Sequence, residues 1–99
     1  MERVPTASRK ELKRIEAEQR QSRSRQRKAQ QQIVHELEKQ IQELENRQTG
    51  LITDLEKPET YAQPGRALEI NRELQDVQHR LSTLNPEWEQ QATVLAAME

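Results

Sequence analysis

Two runs of residues at alternating steps of three and four constrain this chain more than any other feature of its sequence. In heptad terms they are a and d positions, which we call the seam. The first run is Val34, Leu37, Ile41, Leu44, Gln48, Leu51 and Leu55. The second is Ala67, Ile70, Leu74, Val77, Leu81, Leu84, Trp88, Gln91, Leu95 and Met98. A repeat sustained over three or more heptads predicts a coiled coil, since a helix on a globular core shows a wider apolar face.

The segment between the runs, residues 57–65, carries the helix-breaking residues Pro58, Pro64 and Gly65. A connection this short makes its two helices antiparallel neighbours. The sequence therefore predicts an all-α fold, an antiparallel two-helix coiled-coil hairpin over residues 30–99. Its helices are expected over roughly residues 30–56 and 66–97.

The heptads permit more than one pairing of the two helices. One register opposes Leu37 to Trp88 and Gln48 to Val77, the latter a polar break in the seam. A slip of one heptad also seats every a position on a d position, so both registers stay open. Because Pro86 interrupts the second run, we expect a kink or short break there, with both halves still on the seam.

Composition excludes several classes of protein. Among 99 residues there are one Trp, one Tyr and no Phe, too few aromatics for the core of a compact domain of this size. The lack of cysteine excludes disulfide scaffolds, thiolate zinc sites and thiol catalysis. No stretch approaches the roughly 18 apolar residues of a membrane span, so we expect a soluble, cytoplasmic chain with no membrane partner.

The charges are divided unevenly along the chain. Residues 1–35 hold ten Lys or Arg and four Glu, a net charge of +6, whereas residues 36–99 have a net charge of −7. A capping-box pattern from Ser8 to Glu11 predicts a helix start. Extending the first heptad frame backwards puts charged residues on the seam, so the dry seam is expected to stop near Gln30. Residues 1–29 are thus predicted to form a basic, partly helical N-terminal arm. Because Ser22 and Ser24 weaken helix locally, residues 9–20 either swing away and fold back or extend along the helix.

The arm supplies the candidate binding residues. They are the basic residues Lys10, Lys13, Arg14, Arg20, Arg23, Arg25, Arg27 and Lys28. Arginine makes forked contacts with phosphate, so the cluster favours nucleic-acid binding; the alternative is a merely solvated charged helix. Because the arm has no aromatic residue to stack on bases, sequence-specific recognition of single strands is not expected.

Other chemically capable residues favour structural roles. His35 and His79 fall on outward heptad positions far apart, so neither a catalytic nor a metal site is predicted. Trp88 is interpreted as a core residue of the seam, with base stacking as the alternative. Tyr61, at the hairpin tip, either packs the loop against neighbouring leucines or contacts a partner.

The loop and its flanks resemble a known family. Leu55-Glu56-Lys57-Pro58-Glu59-Thr60-Tyr61 is similar to the L-x-D/K-P-E-x-Y hairpin loop in the C-terminal domain of ABC-F ATP-binding proteins. Glu87-Trp88-Glu89 resembles the RWEEL ending of that domain, and residues 9–18 are similar to the basic segment before the hairpin. The resemblance covers about residues 8–95 and departs from the family pattern at Asn85-Pro86.

The resemblance implies that this chain is the tail of a larger cytosolic ATPase with two ABC domains. ATP and Mg²⁺ would bind in that parent protein, because these residues contain no G-x-x-x-x-G-K-[ST] phosphate loop. The fragment itself is then a monomeric, non-catalytic module without a cofactor. Its expected partners are the ABC domains of the parent and, through the arm, DNA or ribosomal RNA at the ribosome.

Two other functions stay open. One is a structural coiled coil for protein–protein interaction that binds no nucleic acid. The other is a tRNA-binding helical arm, of the kind that seryl-tRNA synthetases carry.

Overall fold

The computed structural model describes residues 8–99, so the first seven residues of the predicted arm lie outside the described part. It contains helix α1 (Arg9–Glu56), the short helix α2 (Pro58–Ala62) and helix α3 (Arg66–Met98). Residues 8–99 form no strand. The molecule measures 92 × 19 × 16 Å, a rod rather than a sphere. The all-helical prediction is confirmed, and these long helices are consistent with a hairpin coiled coil.

The core lies between α1 and α3 and consists of seam residues. Leu51 and Ile70 are the most deeply buried, with exposed fractions of 0% and 1%. The main cluster contains Leu44, Leu51, Ile70, Val77 and Leu81, with Ile41, Leu55, Leu74 and Leu84 packed against it. Heptad spacing places these side chains on one stripe of each helix, so a single line of contacts buries them.

Polar contacts between the helices join residues in opposite order along the chain. Gln30 bonds to Gln91, Glu38 accepts a hydrogen bond from Trp88, and Arg47 pairs with Glu73 at 2.7 Å. The residue numbers rise on α1 as they fall on α3, which is consistent with the predicted hairpin. The register of each seam layer stays a prediction.

Helix α1 begins with a side-chain cap and runs without interruption from the arm into the hairpin. The Ser8 side chain caps α1 by accepting a hydrogen bond from the Glu11 N–H at 3.2 Å, as the capping box predicts. Of the two courses left open for residues 9–20, the structure shows extension, since α1 passes through Ser22 and Ser24. Serine costs only a few tenths of a kcal/mol in a helix, and the surrounding Arg, Gln and Lys favour helix.

At Pro86, where a kink or a short break is expected, α3 runs through without a break. Pro86 is exposed, so the backbone carbonyl that loses its hydrogen bond can face water. The seam neighbours Leu84 and Trp88 are half-buried on either side, and their packing supports the helix across the proline.

The loop ends α1 with hydrogen bonds of its own, through a short helix that the sequence analysis did not predict. Pro58 occupies the first turn of α2, and the buried Thr60 donates its hydroxyl to the backbone carbonyl of Asp54. The Tyr61 hydroxyl donates to the Leu55 carbonyl at 2.6 Å. Carbonyls in the last turn of a helix lack helical partners, so these two side chains satisfy groups that would otherwise need water. Gly65, with φ of 77°, then turns the chain into α3.

No helix formed by residues 8–99 combines the length and the apolar character that a bilayer crossing requires.

Leu51→Ala tests the seam. Removing this fully buried side chain should lower the free energy of unfolding by about 2–5 kcal/mol, because it leaves a cavity between the helices. The matched control is Ile52→Ala. Ile52 is the next residue and is 41% exposed, so this change should lower the free energy of unfolding by less than about 1 kcal/mol. Urea unfolding followed by circular dichroism measures both. Equal losses in the two variants would show that the seam is misplaced.

Thr60→Val tests the loop. The substitution keeps the shape of the side chain and removes the hydroxyl that caps the Asp54 carbonyl, so we expect a loss of about 1–2 kcal/mol in unfolding free energy. Thr53→Val is the control, since Thr53 is exposed on α1. Thermal unfolding followed by circular dichroism measures the difference. If the loop only connected the helices, the Thr60→Val and Thr53→Val variants would have the same melting temperature.

Candidate nucleic-acid interface

All eight predicted binding residues lie on the first half of α1, and every one of them is exposed. They are Lys10, Lys13, Arg14, Arg20, Arg23, Arg25, Arg27 and Lys28. At a rise of 1.5 Å per residue, they extend over about 27 Å of one continuous helix. With 3.6 residues per turn, they cover about 200° of its circumference, so the arm presents a broad cationic surface.

Carboxylates neutralise little of this surface. Arg14 lies 3.9 Å from the Glu18 carboxylate, with both side chains more than two-thirds exposed. The other seven cations have no ion-pair partner among residues 8–99. An exposed pair of this kind contributes about 0–1 kcal/mol and is readily exchanged for another anion. The arm can therefore make charge-assisted hydrogen bonds to an incoming phosphate.

The inner end of the arm is marked by a buried amide. Gln30, 8% exposed, is the first buried residue of α1. Its Nε2 donates to the backbone carbonyl of Gln91 at 2.9 Å and to the Gln91 Oε1 at 2.7 Å. We call this pair the glutamine clasp. Towards the N-terminus of Gln30 the seam positions are exposed and charged, whereas towards its C-terminus Val34 and Leu37 are buried.

The heptad pattern predicts the end of the dry seam near Gln30, but it does not predict the clasp. The sequence feature that could have indicated the clasp is a glutamine on a seam position of each helix. Gln30 lies on the seam when the first heptad frame is extended backwards, and Gln91 lies on the seam of the second run. That signal is weak in a chain with many glutamines, because heptad position alone does not say which of them meet.

The two histidines do not come together. His35 is exposed on α1 with its Nδ1 4.0 Å from a Glu38 carboxylate oxygen, and His79 is exposed on α3. Residues 8–99 bring together no group of three or more His, Cys, Asp or Glu side chains that could hold a metal ion. Within the described range, the candidate chemistry is therefore ionic contact through the arm.

The two aromatic residues are held by hydrogen bonds on the hairpin, away from the arm cations. Trp88 is half-buried and donates its indole N–H to Glu38 Oε1 at 3.3 Å, beside Ile41. Tyr61 is 63% exposed at the tip, with its hydroxyl bonded to the Leu55 carbonyl. These positions suit packing and capping, and neither ring lies among the basic side chains of the arm.

Comparison with known protein families covers most of the chain. A family model described as the ABC transporter C-terminal domain matches residues 20–91, which include the inner part of the arm and most of the hairpin. No curated protein and no solved structure matches the chain. Because the family match spans well over half of its residues, the chain belongs to the ABC transporter C-terminal domain family.

Proposed function

We propose that this chain is the non-catalytic nucleic-acid-binding module of a cytosolic ABC-F ATPase acting at the ribosome, with DNA or ribosomal RNA as its ligand. The observation that carries the proposal is the row of eight exposed cations on a helix that continues directly from the hairpin. The loop heptapeptide from Leu55 to Tyr61 supports assignment to the ABC-F branch of the family.

The proposed ligand contact is phosphate rather than base. Lys and Arg that neutralise phosphates release condensed counterions, which drives binding without regard to sequence. The described arm carries no aromatic side chain on which bases could stack, and that also favours backbone contact. Binding should therefore be tight at low salt, weak at high salt and nearly independent of base sequence.

The hairpin has the complementary role of a scaffold. Its net charge of −7 repels phosphate, so nucleic acid is confined to the arm. We infer an antiparallel coiled coil, in which a positions face d positions, as the structure that holds the arm in a fixed direction. ATP and Mg²⁺ would act in the ABC domains of the parent protein.

Replacing Arg20, Arg23, Arg25, Arg27 and Lys28 by Gln tests the proposal. Glutamine keeps the helix propensity and removes five charges. Affinity for a mixed-sequence DNA duplex should fall strongly, and the slope of log affinity against log salt should become shallower by up to about 4.5, the change expected if all five side chains contact phosphate. Fluorescence anisotropy titrations over a range of salt concentrations measure both quantities, and they can be repeated with a structured RNA.

The matched control replaces five hairpin cations, Lys39, Lys57, Arg66, Arg72 and Arg80, by Gln. It changes the net charge equally but leaves the arm intact, so the salt slope should change by less than about one unit. Helicity by circular dichroism should be unchanged in the arm variant, whose substitutions lie outside the apolar core. Unchanged duplex affinity in that variant would leave a protein-interaction coiled coil as the function.

A further inference from the structure

The seam stripe of α1 changes its chemistry at the glutamine clasp. The a and d positions from Val34 onwards are mostly apolar and face α3. In the arm the same positions are Arg9, Lys13, Glu16, Arg20, Arg23 and Arg27. Five of these six residues are cationic, and all six are exposed. One line along α1 is thus apolar after the clasp and basic before it, and α3 continues past Gln91 to Met98 beside the innermost turns of the arm.

The inner part of this line is the densest in arginine. Arg20, Arg23 and Arg27, which we call the basic stripe, follow at steps of three and four and span about 10.5 Å of helix. Such spacing places the three side chains on one face, as neighbours one turn apart. None of them has an ion-pair partner in the described part of the chain, so all three forks are available to a ligand.

The remaining cations lie on another face. Lys10, Arg14, Arg25 and Lys28 are centred about 120° around the helix from the seam line. Arg14 is engaged with Glu18, and between Arg14 and Arg25 this second face carries no cation. The two faces have similar charge in total, but only the basic stripe is continuous with the seam.

We propose that the basic stripe binds one run of phosphodiester backbone, which lies along the exposed side of the arm. This inference rests on the proposed function and specifies its binding face. Three arginine forks that point in one direction match a linear series of phosphates, whereas cations spread around a helix cannot all reach one strand. The cations of the second face contribute attraction at a distance, which salt screens.

Two charge-isomeric variants test the assignment. One replaces Arg20, Arg23 and Arg27 by Gln; the other replaces Arg14, Arg25 and Lys28 by Gln. Both remove three charges from the same exposed stretch of α1, so their long-range fields are nearly equal. Binding to a short mixed-sequence DNA duplex is measured by anisotropy against salt concentration, with helicity checked by circular dichroism.

The stripe variant should make the log–log salt slope shallower by about 2.7, and the other variant by less than about one unit. Equal losses in both variants would overturn the basic stripe while leaving nucleic-acid binding by the arm intact. A larger loss in the second variant would move the contact to the other face and likewise overturn it. Failure of the unmodified protein to bind the duplex at low salt would overturn the proposed function together with this inference.

Discussion

The rest of the structure depends on the burial of Leu51 and Ile70 between α1 and α3. A single helix is marginal in water, and with so few aromatic residues the chain has no other means of removing much apolar surface. Once the seam has ordered α1, extending the helix adds one hydrogen bond per residue, whereas starting it carries the main cost. The arm can therefore be helical beyond the end of α3, because it propagates from a helix that the seam holds.

The hairpin shows which features local sequence decides. Heptad spacing predicted the helical class, and the breakers around Pro58 and Gly65 predicted where α1 ends and α3 begins. Helix α2 was missed because it depends on hydroxyl groups of Thr60 and Tyr61 reaching back to α1 carbonyls, a contact that no periodicity encodes. The sequence could not decide between a kink and a break at Pro86 for the opposite reason, since a local rule competes there with packing on both sides.

The candidate interface divides in the same way. Its eight cations could be named from the charge distribution alone, because exposed basic residues need no tertiary partner to be where they are. The glutamine clasp could not be predicted, since the pairing of Gln30 with Gln91 depends on which layers of the two helices meet. The antiparallel register and nucleic-acid binding itself stay predictions, since they depend on layer geometry and on a ligand rather than on helix content.

The clasp also separates the apolar part of this line on α1, which packs against α3, from the basic part, which we propose binds phosphate. A buried amide beside Val34 tolerates neither a slide of the apolar seam into the arm nor entry of arginine into the seam, because each would leave buried polar groups unpaired. The boundary between the packing surface and the basic surface is thereby set to about one helical turn. Because α1 is continuous across that boundary, the phosphate backbone that we propose for the basic stripe would have a fixed orientation relative to the hairpin axis. In that proposal the helix would hold the nucleic acid at one end at a fixed distance and angle from the hairpin tip at the other.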